Sequence, residues 1–405
     1  LGISAKSWSR FNQVGPLLLG LTAFFGVFAR GLVNISFGLL ALWGLVWLLS
    51  RPWRNTSDDT LFPPPLPQRW LAGITIYSAV ILLTIVSGQD WSRGLRYLSV
   101  ILYLLATLPL AWLAFSQNQH ILKWLPFLYG IGLMVTALLT SREAGYSLTC
   151  LRAKAHLGII ELTAVLAQLT PLMLAALLRS FIAKRWGETA FFLLALLASA
   201  VAILHNCSRI TMLTTPLLSL LILWVYRRTF TRATLLGLML LAVIVFAVFF
   251  LNPGVISRFL EIFEGHSNYN NFLRLSAWKH GWAIFKEHPL LGIGPAAVPS
   301  FLPETIGYYH THQLFINILA ESGVVGLVAF LALHASAFTL IWPHRHSPDP
   351  ETFFWVWAAM IVNLQLLLNG LVDQIFTLKP MMYIYWIITA AALWQVRARR
   401  HLSQR

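Results

Sequence analysis

The sequence predicts an all-α polytopic membrane protein of about twelve transmembrane helices, with one large outer loop bearing interfacial helices. Three observations carry this. The 405 residues are 58% hydrophobic and only 11% charged, with a mean hydropathy of +0.71, whereas soluble domains carry about 25% charged residues. Apolar runs of about 18 residues or more recur, and a helix needs about 20 to cross the hydrocarbon. The runs are continuous and Leu-rich, without the alternation of a barrel strand.

In order, the spans are 14–29, 32–49, 70–87, 95–115, 121–140, 157–178, 189–205, 210–226, 233–251, 313–342, 352–372 and 378–396. The first run, Val14 to Phe28, lacks a small-x-small cleavage site and reads as a retained span. Arg30-Gly31 divides it from the second, and Pro63-Pro64-Pro65 makes a stiff linker before the third. Basic residues punctuate the short loops. Alternate loops and the termini hold 17 of them against 8 on the opposite side, which predicts cytoplasmic termini and an outer 252–312 segment. The net charge of +15 is thus mostly an orientation signal facing membrane lipids, and it argues for no nucleic-acid partner. Three regions follow: 1–251 with spans one to nine, 252–312 as the outer loop, and 313–405 with the last three spans and a basic tail. No sequence repeat is visible.

Within the outer loop, Asn271 to Glu287 has helical periodicity, with Arg274, Trp278, Gly281, Trp282 and Phe285 near one face. Tryptophans beside Arg and Lys suit a helix in the headgroup layer. His288-Pro289 ends it, and Gly292-Ile293-Gly294-Pro295 makes a turn. That Gly-x-Gly is no nucleotide loop, because no strand precedes it and no Lys-Ser/Thr follows.

Candidate site residues sit in separate outer segments: Arg152 with Lys154, Arg209 in Asn206-Cys207-Ser208-Arg209, Arg274 on the interfacial helix, and His312 opening the tenth span. All fall on one membrane face at expected helix N-termini, which attract anions. Arginine adds a planar fork matched to phosphate oxygens. One such arginine alone reads as snorkelling to headgroups; several leading into a histidine-bearing helix read as a diphosphate site. His312 would share a helix face with Leu319, Gly323, Gly326 and Phe330, and the helix dipole would keep its ring neutral, fit for general-base work. His310 reads as a wetted loop histidine and the secondary candidate. Glu321 reads as a packing or orienting group. Asp373 reads as a solvated loop charge, with orienting a base or binding a sugar hydroxyl as the alternative. Cys150 and Cys207 both lie in outer loops, but two cysteines make no framework, so their pairing stays open. No cluster has metal-ligand spacing, so no metal and no cofactor are expected.

His312-x2-Phe315-Ile316-x2-Leu319-Ala320-Glu321-Ser322-Gly323-x2-Gly326 resembles the motif of the O-antigen ligase and O-antigen polymerase superfamily, where it closes a large periplasmic loop. Ser208-Arg209 and Arg274-x3-Trp278 followed by Pro289-Leu290-Leu291-Gly292-Ile293-Gly294-Pro295 are similar to its other patterns; Gln313 departs from the Asn or Ser more usual after the histidine. The resemblance implies a fold related to lipid-dependent (GT-C-like) glycosyltransferases in the bacterial inner membrane. It also implies metal-independent, inverting transfer from undecaprenyl-diphosphate-linked O-antigen to lipid A-core, completing lipopolysaccharide. His312 would then be the base, and Arg209 and Arg274, with Arg152, would hold the diphosphate. A polymerase or protein-glycosylating ligase would share these residues. A lipid-linked sugar flippase should instead carry paired polar groups at midspan, where Gln168, His334, Asn363 and Gln365 are the exceptions to an apolar rule.

Overall fold

The computed structural model describes residues 5–50, 65–147, 150, 152–232, 234, 236–238, 240, 251–261, 263, 268–303, 307 and 310–403, with the backbone alone for 5–9 and 398–403. It is a bundle of helices: α1 Ala5–Phe25, α2 Arg30–Leu49, α3 Gln68–Val86, α4 Trp91–Leu105, α5 Thr107–Gln117, α6 Ile121–Glu143, α7 Ile159–Ile182, α8 Trp186–Asn206, α9 Arg209–Tyr226, α10 Pro253–Leu260, α11 Tyr269–Glu287, α12 Leu314–Ile341, α13 Pro350–Gly370 and α14 Lys379–Ser403. Nine segments among the described residues are long and apolar enough to cross a membrane, α4 and α5 counting together as one. Helices α1 and α14 pack in the same bundle but are not among those nine, and the expected span 233–251 falls mostly outside the described residues.

The expected span 95–115 is two helices that meet at Ala106. Pro109 accounts for the break, since its ring clashes with the carbonyl four residues back and it offers no N–H. Polar caps fix several helix starts: Asp90, Asn252, Asn268, Gln313 and Asp349 each accept a backbone N–H of the following turn. Helix α7 is buried from Glu161 to Ser180, and α14 is buried from Met381 to Leu393. These two form the middle of the bundle, and the remaining spans carry their exposed leucines outward, as a lipid-facing surface requires.

Three of the midspan polar residues are tied to a neighbouring side chain or to backbone, whereas the Gln168 amide has no hydrogen-bond partner among the described residues. Tyr385 donates to Asn363 at 2.6 Å and meets His334 Nδ1 at 2.6 Å, which links α12, α13 and α14. Gln365 donates to the Ala164 carbonyl at 3.4 Å.

Helix α12 is interrupted at Gly323, where φ is 63° and ψ −166°. The gap is filled by the segment after α11. Val324 N–H donates to Pro289 O at 2.9 Å, while Ile293 and Gly294 donate to Ala320 and Glu321 carbonyls at 3.0 and 2.9 Å. A Cβ on Gly323 would lie 2.1 Å from Leu290 O. Glu321, read as a packing or orienting group, is 5% exposed and held by the backbone of Ala296 and Val298 and by Asn317.

Candidate functional site

At one end of the bundle, the α6–α7 loop, the starts of α7 and α9, helices α10 and α11, and the α13–α14 loop enclose a cavity of about 490 Å³. Arg152, Arg209, Arg258, Arg274, His312 and Asp373 all line it, with Asn369 and Trp278 among the others. Four arginines against one carboxylate make the lining strongly electropositive.

The loop before α7 is braced from several directions. Cys150 is disulfide-bonded to Cys207, which settles the pairing the sequence left open. Asn206 donates to the Ala153 and Ile159 carbonyls at 3.1 and 3.3 Å. Glu161 caps Gly158 N–H at 2.9 Å and accepts from Arg30 at 2.9 Å. This bracing sets Arg152, which has φ of 55°. Partial burial, then the charges of Arg258 and Arg274, lower its guanidinium from the ordinary value, and Glu261 opposes them. Lys154 is not part of the lining; its backbone N–H donates to Glu143 at 2.9 Å.

Arg209 is the first residue of α9, as expected. Arg152 and Arg274 depart from expectation, since α7 starts only at Ile159 and Arg274 lies in the second turn of α11. Their convergence comes from packing rather than from helix ends. Arg209 reaches the Glu261 carbonyl at 3.3 Å, and its guanidinium lies 3.9 Å from the Glu261 carboxylate. Arg258 pairs with the same carboxylate. Arg258 was not among the sequence candidates, although a basic residue in the outer loop was signal enough to raise it.

His312 requires a correction. It does not open α12, which begins at Leu314 behind the Gln313 cap; it stands before the helix with φ of 55°. The expected face shared with Leu319 and Gly323 therefore does not exist, and the helix dipole is not what governs the ring. Its Nδ1 lies 3.1 Å from Asp373 Oδ1 instead. Trp278 Nε1–H donates to the His312 carbonyl at 3.4 Å, and Gly281 of α11 packs against Thr311, where a Cβ would come within 2.6 Å.

Asp373 is not a solvated loop charge. It is 6% exposed and accepts Gln374 N–H at 2.9 Å, and its second oxygen lies 3.6 Å from Arg274. Burial by itself would raise this carboxyl. The His312 hydrogen bond and the charges of His312, Arg274 and His310 outweigh it and hold the carboxyl below its usual value.

His310 does not line the cavity and is not a wetted histidine either. Its Nδ1 accepts the His312 N–H at 3.1 Å, and the two rings lie 4.3 Å apart. Burial, then the neighbouring His312, lowers it to about 4. Although no linear spacing suggested a metal cluster, the fold gathers one from two loops: ligand atoms of His310, His312 and Asp373 all lie within 4.8 Å of one another.

The arrangement defines a class: a multi-helix membrane protein with a buried His–carboxylate pair facing an arginine-lined cavity. Residues 193–331 match the family model described as O-antigen ligase, and no curated protein matches the chain. The match supports placing the chain in the O-antigen ligase/polymerase superfamily. The matched segment contains Arg209, Arg258, Arg274 and His312; Arg152 and Asp373 join from outside it.

Proposed function

We propose that the protein is an O-antigen ligase that transfers polysaccharide from undecaprenyl diphosphate to a hydroxyl of lipid A-core. The observation that carries this reading is the convergence of His312, Asp373 and four arginines, each on a different helix or loop, on one cavity.

Asp373 accepts a hydrogen bond from His312 Nδ1–H, which leaves Nε2 as the proton acceptor. The acceptor hydroxyl gives its proton to Nε2 as its oxygen bonds to the anomeric carbon. On the opposite face the bond from that carbon to the phosphate oxygen breaks, and its electron pair leaves with undecaprenyl diphosphate. The configuration inverts. Arg152, Arg209, Arg258 and Arg274 neutralise the charge that develops on the leaving group, and Asp373 stabilises the imidazolium. The leaving group is already an anionic phosphate, so it needs no protein acid.

The site then belongs on the periplasmic face of the inner membrane. The basic-loop count supports that orientation, and so does the Cys150–Cys207 bond, because disulfides persist in oxidising compartments. A transporter reading would rest on the midspan polar residues, yet none of Gln168, His334, Asn363 and Gln365 lines the cavity. The same cavity would serve a polymerase, for which the acceptor is a second lipid-linked glycan. A metal at His310, His312 and Asp373 would occupy the pair that the proton transfer uses.

The test incubates purified protein and His312→Ala with lipid-linked polysaccharide, with and without lipid A-core and chelator. Glycosylated core made only by the wild type, in chelator, supports the ligase. Lengthening of the lipid-linked chain points to the polymerase, chelator-sensitive transfer to the metal, and an active His312→Ala removes the base.

A further inference from the structure

Four arginines line the cavity, and two carboxylates of the described residues pair with them. Asp373 lies 3.6 Å from Arg274 and is engaged with His312. The other, Glu261, has no part in the transfer step. Its Oε2 pairs with Arg258 and lies 3.9 Å from Arg209, and its charge reaches Arg152 as well. Glu261 is outside the lining, whereas both arginines it meets are in it.

Glu261 is the C-cap of α10. A helix C-terminus carries partial negative charge and disfavours a carboxylate, so the helix does not explain the residue. Its backbone is held firmly all the same: Asn271 of α11 and Arg209 of α9 donate to its carbonyl at 2.9 and 3.3 Å. Three helices thus fix an acid against two of the cations proposed to bind the diphosphate. A guanidinium presents the same planar fork to a carboxylate and to a phosphate, so the two anions compete for it.

Competition answers a difficulty of turnover. Transfer turns a diphosphate diester into a monoester. The bond from the anomeric carbon to the phosphate oxygen breaks and the oxygen keeps the electron pair, so the released lipid carries up to one negative charge more than the donor. Arginines that attract the donor would therefore hold the product more tightly still. A site that keeps its product turns over slowly. A fixed carboxylate beside the same cations weakens that grip, and weakens it most for the more highly charged species.

We propose that Glu261 is a positioning residue that speeds release of the lipid diphosphate, by competing with phosphate oxygens for Arg258 and Arg209. This rests on the transfer reading above and adds how the site lets its product go. An acid that only orients the two arginines for phosphate would act with the opposite sign, because its removal would weaken diphosphate binding.

The experiment uses the full chain in lipid nanodiscs and compares wild type, Glu261→Gln and Glu261→Ala, each also in an Arg258→Ala background. It measures transfer in the steady state and over the first turnover, inhibition by added undecaprenyl diphosphate, and calorimetric binding of farnesyl diphosphate. Where chain lengthening is the reaction observed, the same constants are read with the lipid-linked glycan as acceptor. Both Glu261 variants should be inhibited at about tenfold lower undecaprenyl diphosphate, the scale of one charged hydrogen bond. They should bind farnesyl diphosphate tighter by a similar factor, and show a first turnover faster than those that follow. Most of the gain should vanish without Arg258. A damaged fold does not tighten binding, so unchanged or weaker inhibition in both variants overturns the proposal while the transfer reading stands. A wild type that neither transfers glycan nor binds farnesyl diphosphate overturns both.

Discussion

Replacing Asp373 by Asn keeps the shape of the side chain and removes its charge. In the wild type its Oδ1 lies 3.1 Å from His312 Nδ1. At an effective dielectric of about 20, a full charge pair at that separation is worth about 5 kcal/mol. Asparagine keeps a carbonyl dipole and can still accept the ring N–H, so we expect roughly half of that to be lost, about 2–4 kcal/mol. Since 1.36 kcal/mol is a factor of ten, kcat should fall about 30- to 1000-fold. The loss belongs to kcat because the imidazolium forms only as the hydroxyl is deprotonated. The donor constant should move little or improve, because Arg274, 3.6 Å from the carboxylate, loses a counter-ion and remains to meet phosphate. The assay is single-turnover and steady-state transfer from lipid-linked polysaccharide, with donor and acceptor varied separately. A kcat within threefold of wild type, or a loss confined to KM, would refute the His312–Asp373 assignment.

Arg209→Ala, Arg258→Ala and Arg274→Ala should each raise the donor KM about tenfold or more, the scale of one charged hydrogen bond. The Lys variants should recover only part of it, because the planar fork is gone; unchanged donor affinity in all three would count against a diphosphate site. His310 is lowered from 6.5 to about 4, so between those values the unfolded chain holds a proton that the folded one lacks. Stability should therefore rise with pH across that window, by at most about 3 kcal/mol, and His310→Gln should flatten the thermal-unfolding profile in detergent between pH 4 and 6.5. Reducing the Cys150–Cys207 bond frees the segment two residues before Arg152, so donor KM should increase under reductant and not in a Cys150→Ser, Cys207→Ser double variant already lacking the bond.

What the sequence made legible is what depends on local pattern. Hydropathy runs place the long helices, and Asn271–Glu287 emerges as Tyr269–Glu287. The convergence of Arg152, Arg209, Arg274 and His312 on one cavity was legible because the expected alternation of spans puts all four at the same end of the bundle. What was hidden depends on contacts between distant segments. Asp373 reads as a loop charge until the α13–α14 loop folds over residues 310–312, and only then does it have a histidine to hold. The helix-dipole argument for His312 failed by two residues: the Gln313 cap moved the helix start to Leu314 and left the histidine in a left-handed bend.

The long motif after His312 can now be divided by what each part does. Gly323 breaks α12, and the break leaves the carbonyls of Ala320 and Glu321 and the N–H groups of Val324 and Val325 without helical partners. The segment Pro289–Gly294 supplies those partners. Gly292, with φ of 66°, passes so close that a Cβ there would meet the Glu321 backbone at 2.3 Å, so both glycines are needed for one backbone crossing. The consequence is mechanical. The crossing clamps the C-terminal end of α11 to the first turns of α12, while Trp278 of α11 bonds the His312 carbonyl at 3.4 Å. Fastened at two points, α11 carries Arg274 at a fixed distance from His312. The glycine-rich half of the motif therefore sets the spacing between the proposed anion-binding group and the proposed base, and the chemistry falls to residues outside it.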